Sequence, residues 1–217
     1  MSAVLIIETS TDAASIALAN EGEIICEKSF ISDRRHNALL FEPLAEILAA
    51  HGTRSFDAVL VGSGPGSYSG TRVGIAAAQG AALVGDAKAV AVPSILATPE
   101  ALSGNPCMAV GDARRGSYWT AQINEGQLIS GPDLTDSFGF EAALLSAEQQ
   151  GISVFCMEGI RGHSLPVAKP SAAGIWAAWK AASPKTRALW AGQIAQPIYL
   201  KPPHITPSKR KPLVNPA

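Results

Sequence analysis

The sequence predicts an α/β protein of two lobes, each built around a mixed β-sheet with helices on the outside. Three observations lead to this prediction. The chain opens with three short strand patterns, a buried strand pattern then runs into a glycine-rich loop and a helix, and strand, polar turn and strand return after residue 106. Strand and helix patterns in this order are typical of layered α/β folds. At 217 residues the chain is long enough for two lobes, each with a core.

The composition is that of a globular protein. Hydrophobic residues make up 47% of the chain and charged residues 16%, with a formal net charge of −1, which argues against disorder. No apolar run approaches the roughly 20 residues of a membrane-spanning helix, and no basic segment followed by a signal core opens the chain. We therefore expect a cytoplasmic protein that does not associate with membranes.

Charge is unevenly distributed along the chain. The tail, residues 201–217, is rich in proline and holds four basic side chains and no acidic one, which leaves 13 basic and 18 acidic side chains in residues 1–200. The body is therefore not predicted to bind RNA by charge. The tail is predicted either to be a solvated end or to contact phosphate.

Cysteine and histidine spacing favours neither disulfides nor a metal site. Cys26, Cys107 and Cys156 lie far apart in apolar patterns, which predicts buried, reduced thiols. No two histidines have the spacing of metal ligands on one helix, so no metal is predicted.

The first lobe begins with a meander of three predicted strands at residues 4–9, 14–19 and 24–30. The first turn carries two carboxylates and three hydroxyls, from Glu8, Thr9, Ser10, Thr11 and Asp12. This is more polarity than a connection needs. The turn is either part of a functional cleft or a hydrated loop whose side chains cap local backbone groups.

An amphipathic helix follows, entered through residues 32–36 and ending at Gly52. Its apolar stripe consists of Leu39, Leu40, Pro43, Leu44, Ile47 and Leu48. His36, near the start, is either a ligand or a capping group.

The most constrained stretch follows the strand pattern at residues 58–61. Its loop contains four glycines: Gly62, Gly64, Gly66 and Gly70. Glycines allow positive φ and close approach to a ligand or another chain. A helix is predicted from Thr71 to Val84. The spacing fits neither a Walker loop nor a dinucleotide fingerprint, so a generic anion site at the helix start stays open.

One side of this helix is almost bare backbone. Small residues recur every four positions, at Gly70, Gly74, Ala78 and Ala82, and such a side lets a neighbour pack at short range. The neighbour is either the sheet of the same lobe or a helix of a partner.

A strand at residues 89–92 and a short helix at 93–102 complete the first lobe, which spans residues 1–103. The second lobe spans residues 104–200. Its predicted strands are 107–110, 117–123 and 152–157, and its predicted helices are 138–150 and 171–182. The turn at 112–116 holds an aspartate and two arginines, which either clamp an anion or fix the turn.

Four segments together resemble the TsaB (YeaZ) family, accessory subunits of the bacterial machinery that adds threonylcarbamoyl to the adenosine beside the tRNA anticodon. They are Ile7–Ser10, Gly64–Gly74, Asp112–Gly116 and Pro197–Lys201. The resemblance implies the two-lobed, ribonuclease H-like fold of actin, Hsp70 and sugar kinases. The catalytic relative TsaD carries a His-x-x-x-His metal pair, which this sequence lacks. The resemblance therefore implies a non-catalytic subunit that binds and activates TsaD, with TsaE as an ATP-hydrolysing third component.

The small-residue helix and the apolar helix of the first lobe, taken with the resemblance, predict where partners and ligands bind. The two helices of the first lobe would form half of a four-helix interface, in a heterodimer with TsaD or in a homodimer when alone, and tRNA would be reached through the complex. The implied partner-binding residues are His36, Leu40, Leu44, Gly66, Tyr68, Gly70, Arg72, Gly74, Ala78 and Ala82. A candidate nucleotide or anion cleft comprises Glu8, Thr9, Ser10, Asp112 and Arg115. ATP or ADP at the TsaD interface is the one candidate cofactor.

Two other classes stay open on the residues alone. An ATP-using phosphotransferase of the same fold would gather Glu8, Asp12 and Asp112 around a metal–nucleotide, although the first turn lacks the Asp-x-Gly pattern of such kinases. A glycopeptidase would need a metal-bound water or an activated nucleophile, and no serine or cysteine lies in a nucleophile-elbow pattern.

Overall fold

The structure, a computed structural model, describes residues 3–32, 39–52 and 55–201, and the predicted α/β fold with two mixed sheets is confirmed. The strands of the first sheet are β1 (Ala3–Glu8), β2 (Ala13–Asn20), β3 (Glu23–Ile31), β4 (Ala58–Gly62) and β5 (Ala89–Val92). Their order is β3-β2-β1-β4-β5. The meander β1–β3 is antiparallel, while β1, β4 and β5 are parallel.

The second sheet contains one strand that the sequence did not predict. Its strands are β6 (Cys107–Asp112), β7 (Ser117–Asn124), β8 (Gln127–Asp136) and β9 (Ser153–Cys156), in the order β8-β7-β6-β9. The missed strand is β8. Gly131 and Pro132 interrupt its sequence, and its pairing with β7 shifts register twice. The sheet tolerates this proline because β8 is an edge strand.

Six α-helices lie within the described ranges: α1 (Phe41–His51), α2 (Tyr68–Val84), α3 (Pro99–Leu102), α4 (Ser137–Gln149), α5 (Ala172–Ala181) and α6 (Pro184–Ala191). The second begins earlier than predicted because the Ser67 hydroxyl accepts a hydrogen bond from the Gly70 N–H and caps the helix. The last was not predicted, although Ser183 followed by proline is a helix-start pattern.

The predicted helix at residues 93–102 is two separate turns. A 3₁₀ turn covers Ser94–Ala97, and α3 begins afterwards. Thr98 separates them because its backbone is extended and its side chain caps α3.

The first sheet is covered on both faces. On one face, α1 and α2 enclose a core that includes Leu5, Ile7 and Val61. On the other face, α5 packs against β1 and β4, and this core continues without a break into the second sheet through Trp119 and Phe155. The two sheets lie on either side of the predicted boundary at residue 103, whereas α5 packs on the first sheet despite its late position in the chain.

The described cysteines are free, as predicted. Cys107 and Cys156 are buried, whereas Cys26 is half-buried on the edge strand β3. Burial raises the pKa of the Cys107 thiol to about 11, which disfavours the reactive thiolate. No helix in the described part of the chain is long and apolar enough to cross a lipid bilayer.

Candidate functional site

The first turn and the glycine loop form a closed junction. The Ser67 N–H donates to the Ser10 carbonyl at 2.6 Å, and the Thr9 hydroxyl donates to the Gly70 carbonyl at 2.8 Å. Thr9 and Ser10 are fully buried. A Cβ at Gly66 would overlap the Ser10 carbonyl oxygen, so this close approach requires glycine. The loop therefore covers the first turn.

Glu8 is buried beneath this junction. Its Oε1 accepts a hydrogen bond from the Ser10 N–H at 2.5 Å. Among the described residues, Oε2 of Glu8 and the hydroxyl of Ser10 are buried without a hydrogen-bond partner. Burial raises the pKa of the Glu8 carboxyl, and the hydrogen bond from the Ser10 N–H opposes part of this rise. A Cβ at Gly62 would overlap Oε2, so the glycine makes room for the carboxyl.

The carboxylates expected around a metal–nucleotide do not form a common site. The Asp12 carboxylate lies 2.7 Å from the Lys169 ammonium, which lowers the pKa of Asp12. Asp112 lies at a different turn and Glu8 is buried. Within the described ranges, no three His, Cys, Asp or Glu side chains are placed to hold a metal ion together. The described residues therefore do not support the alternative in which Glu8, Asp12 and Asp112 gather around a metal–nucleotide.

Asp112 fixes its own turn. Its Oδ1 accepts a hydrogen bond from the Arg114 N–H at 2.6 Å, and its Oδ2 lies 3.6 Å from the Arg114 guanidinium. Arg114 and Arg115 both have positive φ, at 67° and 58°. Of the two predicted roles, clamping an anion or fixing the turn, Asp112 and Arg114 therefore have the second. The side chain of Arg115 is exposed.

The C-terminal segment, Pro197–Lys201, connects the other motif segments. The Ile198 N–H donates to the Ser63 carbonyl of the glycine loop at 2.9 Å. The Tyr199 hydroxyl accepts hydrogen bonds from Arg72 of α2 at 3.2 and 3.1 Å. The Lys201 ammonium donates to the carbonyls of Ala113 and Arg114 at 3.1 and 3.0 Å. The segment thus joins the glycine loop, α2 and the second sheet.

The bare side of α2 faces the sheet of this chain, which corrects its assignment to a partner interface. Gly70, Gly74, Ala78 and Ala82 are buried, and a Cβ at Gly74 would overlap the Thr9 hydroxyl. Small residues are needed here because α2 crosses β1 at short range.

The partner role inferred for α1 is corrected for the same reason. Leu40 and Leu44 are buried in the core below α1, so neither side chain is available to a partner. His36 lies outside the described residues.

The opposite side of α2 is exposed and apolar. Leu83 and Val84 are 85% and 84% exposed. Ile194 is 81% exposed and adjoins α2, because the carbonyl of the next residue, Ala195, accepts a hydrogen bond from Gln79 of α2 at 3.0 Å. We define the α2 surface as Val73, Ala76, Gly80, Leu83, Val84 and Ile194.

Three residues inferred to bind a partner lie at the N-terminal end of this surface. Gly66 and Tyr68 are exposed and Arg72 is half-exposed. Exposed apolar patches rimmed by polar groups are typical of protein contact sites. The α2 surface is therefore the best candidate functional site among the described residues.

The fold places this protein in the class of α/β proteins that contain two mixed sheets flanked by helices. Two solved structures from Pseudomonas aeruginosa have the same fold. YeaZ matches with a TM-score of 0.65 and 22% identity, over 92% of this chain and 100% of that one. An uncharacterized protein with similarity to peptidase YeaZ matches with a TM-score of 0.67 and 22% identity, over 93% and 100%.

The chain belongs to the family described as TsaD, tRNA N6-adenosine threonylcarbamoyltransferase, whose model matches residues 24–181. The tRNA threonylcarbamoyladenosine biosynthesis protein TsaB of Escherichia coli is 32% identical over 123 residues, 54% of this chain and 53% of that protein. TsaB of Haemophilus influenzae is 33% identical over 129 residues, 55% of this chain and 53% of that protein. The chain thus spans about half the length of these two relatives. The predicted resemblance to TsaB (YeaZ) is confirmed.

Proposed function

We propose that this protein is a non-catalytic subunit that binds and activates a TsaD-type enzyme, which transfers threonylcarbamoyl to the adenosine beside the tRNA anticodon. The observation that carries the proposal is the α2 surface, with three aliphatic side chains more than 80% exposed. Two relatives named for threonylcarbamoyladenosine biosynthesis support the pathway. A soluble protein rarely leaves such a patch uncovered unless it binds another surface.

The closed first turn favours the accessory role. A phosphotransferase needs accessible carboxylates around a metal–nucleotide, but here Glu8 is sealed and Asp12 is paired with Lys169. A glycopeptidase with a cysteine nucleophile would need an accessible thiolate, and both buried cysteines have raised pKa values because of their burial. The contacts therefore support neither alternative.

In this proposal the α2 surface binds TsaD in the heterodimer and a second copy of this chain when TsaD is absent. A stable contact of this kind buries about 800 Å² on each partner. TsaE is the ATP-hydrolysing third component, ATP or ADP is the candidate ligand at the TsaD interface, and tRNA is reached through the complex in the cytoplasm.

A substitution on the α2 surface tests the proposal. Leu83→Glu should weaken binding to the TsaD protein of the same organism about tenfold or more, because it buries a charge in an apolar contact. The matched control is Leu145→Glu on α4, where the leucine is also exposed, at 55%. Binding is measured by biolayer interferometry. Equal affinity of both variants and the unmodified protein would contradict the assignment of this surface.

A second measurement tests activation. The purified protein is mixed with TsaD, TsaE, tRNA, ATP and threonylcarbamoyl-adenylate, and components are omitted one at a time. Modification should require both this chain and TsaD. Full modification without this chain would remove the proposed role.

A further inference from the structure

Arg72 is held in one position at the edge of the α2 surface. Its guanidinium carbon lies 3.5 Å from the centroid of the Tyr68 ring and 5.3 Å from that of Tyr199. Its Nε and Nη2 both donate to the Tyr199 hydroxyl. Both tyrosines are more than half exposed. The cation is thus fixed between two exposed aromatic rings before any ligand arrives.

No group of the described chain neutralises this cation. None of the ion pairs between described residues involves Arg72. The first turn of α2 holds no acidic residue, so Arg72 adds its charge to the positive end of the helix dipole, where an anion is preferred. The helix dipole therefore opposes the cation at this position, and an external anion bound beside Arg72 would be favoured.

The chemistry of the neighbouring surface indicates what kind of molecule supplies the anion. Arg72 is the one charged residue in the 17 residues of α2, and the same side of the helix continues into Leu83 and Val84. Nucleic acid is bound by several cations that neutralise successive phosphates. A lone arginine with tyrosines beside an apolar patch is instead the composition of a protein–protein hot spot.

We propose that Arg72 binds a carboxylate of the protein that docks on the α2 surface, and that Tyr68 and Tyr199 are positioning residues that hold the guanidinium toward it. The inference rests on the proposed function for the identity of that protein, a TsaD-type enzyme. It adds the charged contact that selects the partner and gives the C-terminal segment a part in recognition. A partner side chain that lacks the carboxylate would leave the cation unpaired in the interface.

The test measures affinity for the purified TsaD protein of the same organism at several salt concentrations. Arg72→Gln should weaken binding about tenfold or more, and the salt dependence of association should flatten because the charge is gone. Tyr199→Phe keeps the ring but removes the hydroxyl, and should lower affinity about threefold. The control is Arg161→Gln, since Arg161 is also exposed, and it should bind as the unmodified protein does. Thermal melting checks that each variant is folded.

A charge swap identifies the contact. Arg72→Glu should abolish measurable binding, and one substitution of an exposed acidic residue of TsaD by lysine should restore it. Unchanged affinity and salt dependence in Arg72→Gln would overturn this inference while leaving the proposed function in place. No binding by the unmodified protein would overturn both. Binding of labelled tRNA that Arg72→Gln weakens, with TsaD affinity unchanged, would assign the cation to phosphate and also overturn the inference.

Discussion

Glu8 makes the stability of this protein depend on pH. Its pKa is raised above the ordinary 4.5, chiefly by burial, so the folded protein holds the proton more tightly than the unfolded chain does. Stability from this group is therefore fully present below pH 4.5 and is lost as pH rises through the raised pKa. At higher pH the ionised, buried carboxylate lowers the free energy of unfolding.

The first prediction follows from this linkage. Glu8→Gln keeps the shape and the oxygen that accepts from Ser10 but removes the charge, so the free energy of unfolding at pH 8 should rise by about 1–3 kcal/mol. The gain should disappear near pH 4. Urea unfolding across this range measures both, with Glu148→Gln on exposed α4 as the control. If the free energy of unfolding changed with pH in the same way for the unmodified protein and for Glu8→Gln, the prediction would be contradicted.

Substitution of Arg115 should affect tRNA modification without affecting stability. Because it is exposed and Asp112 contacts Arg114 instead, Arg115→Ala should melt within about 3 °C of the unmodified protein. We predict that it nevertheless reduces tRNA modification in the reconstituted assay. Arg161→Ala should change neither quantity. A large drop in melting temperature, or full modification by Arg115→Ala, would count against a functional role for this turn.

The sequence indicated that the first turn and the Asp112 turn are unusual, but it did not predict the contacts that their side chains make. The first turn and the Asp112 turn stand out in the sequence because carboxylates and hydroxyls cluster there. Nothing local indicates that Glu8 is buried or that Lys169 neutralises Asp12, since that pair is separated by 157 positions. The role of Tyr199 was missed for the same reason.

At the scale of elements, α2 has two sides with opposite requirements. Gly74 lies against Thr9, whereas a Cβ at Gly80 would meet no atom within 4 Å. Gly74→Ala should therefore lower the free energy of unfolding by roughly 1–3 kcal/mol through overpacking, and Gly80→Ala should raise it by about 1 kcal/mol through helix propensity. Urea unfolding of the two variants gives the comparison.

The two substitutions are matched because each adds one methyl group to the same helix. If both destabilise equally, α2 is not oriented with Gly74 toward Thr9 and Gly80 toward solvent. Ala78→Leu, like Gly74→Ala, adds bulk on the buried side of α2. Ala78 is fully buried, so this change should disturb the core of the chain itself and cannot serve as a probe of partner binding.

The sequence pattern of α2 did not indicate which side of this helix faces the sheet. The sequence contains two sets of small or apolar residues, and either could have faced the sheet. Thr9 decides between them, because its hydroxyl bonds to the Gly70 carbonyl and fills the space beside Gly74. The set containing Ala76 and Gly80 is left at the surface.

At the scale of the whole molecule, the segment Pro197–Lys201 links the glycine loop and α2 to the Asp112 turn of the second sheet. The last prediction compares a chain that ends at Lys201 with one that ends at Gln196. Loss of the contacts to Ser63, Arg72 and the Asp112 turn should lower the free energy of unfolding by about 2–4 kcal/mol, the sum of several hydrogen bonds. Urea unfolding measures the difference. Equal stability of the two chains would show that the segment contributes little.

Local sequence patterns predicted the class of fold, the segments that carry the family resemblance and, among the described residues, eight of the nine strands and the helices α2, α4 and α5 to within a few residues. These follow from local patterns of apolar, glycine and capping residues. Long-range contacts determine which side of α2 is exposed, that the glycine loop seals the first turn, that α5 packs on the first sheet, and that Tyr199 holds Arg72. Each of these depends on contacts between residues far apart in the chain, and local patterns carry no information about which distant partner fills a given space.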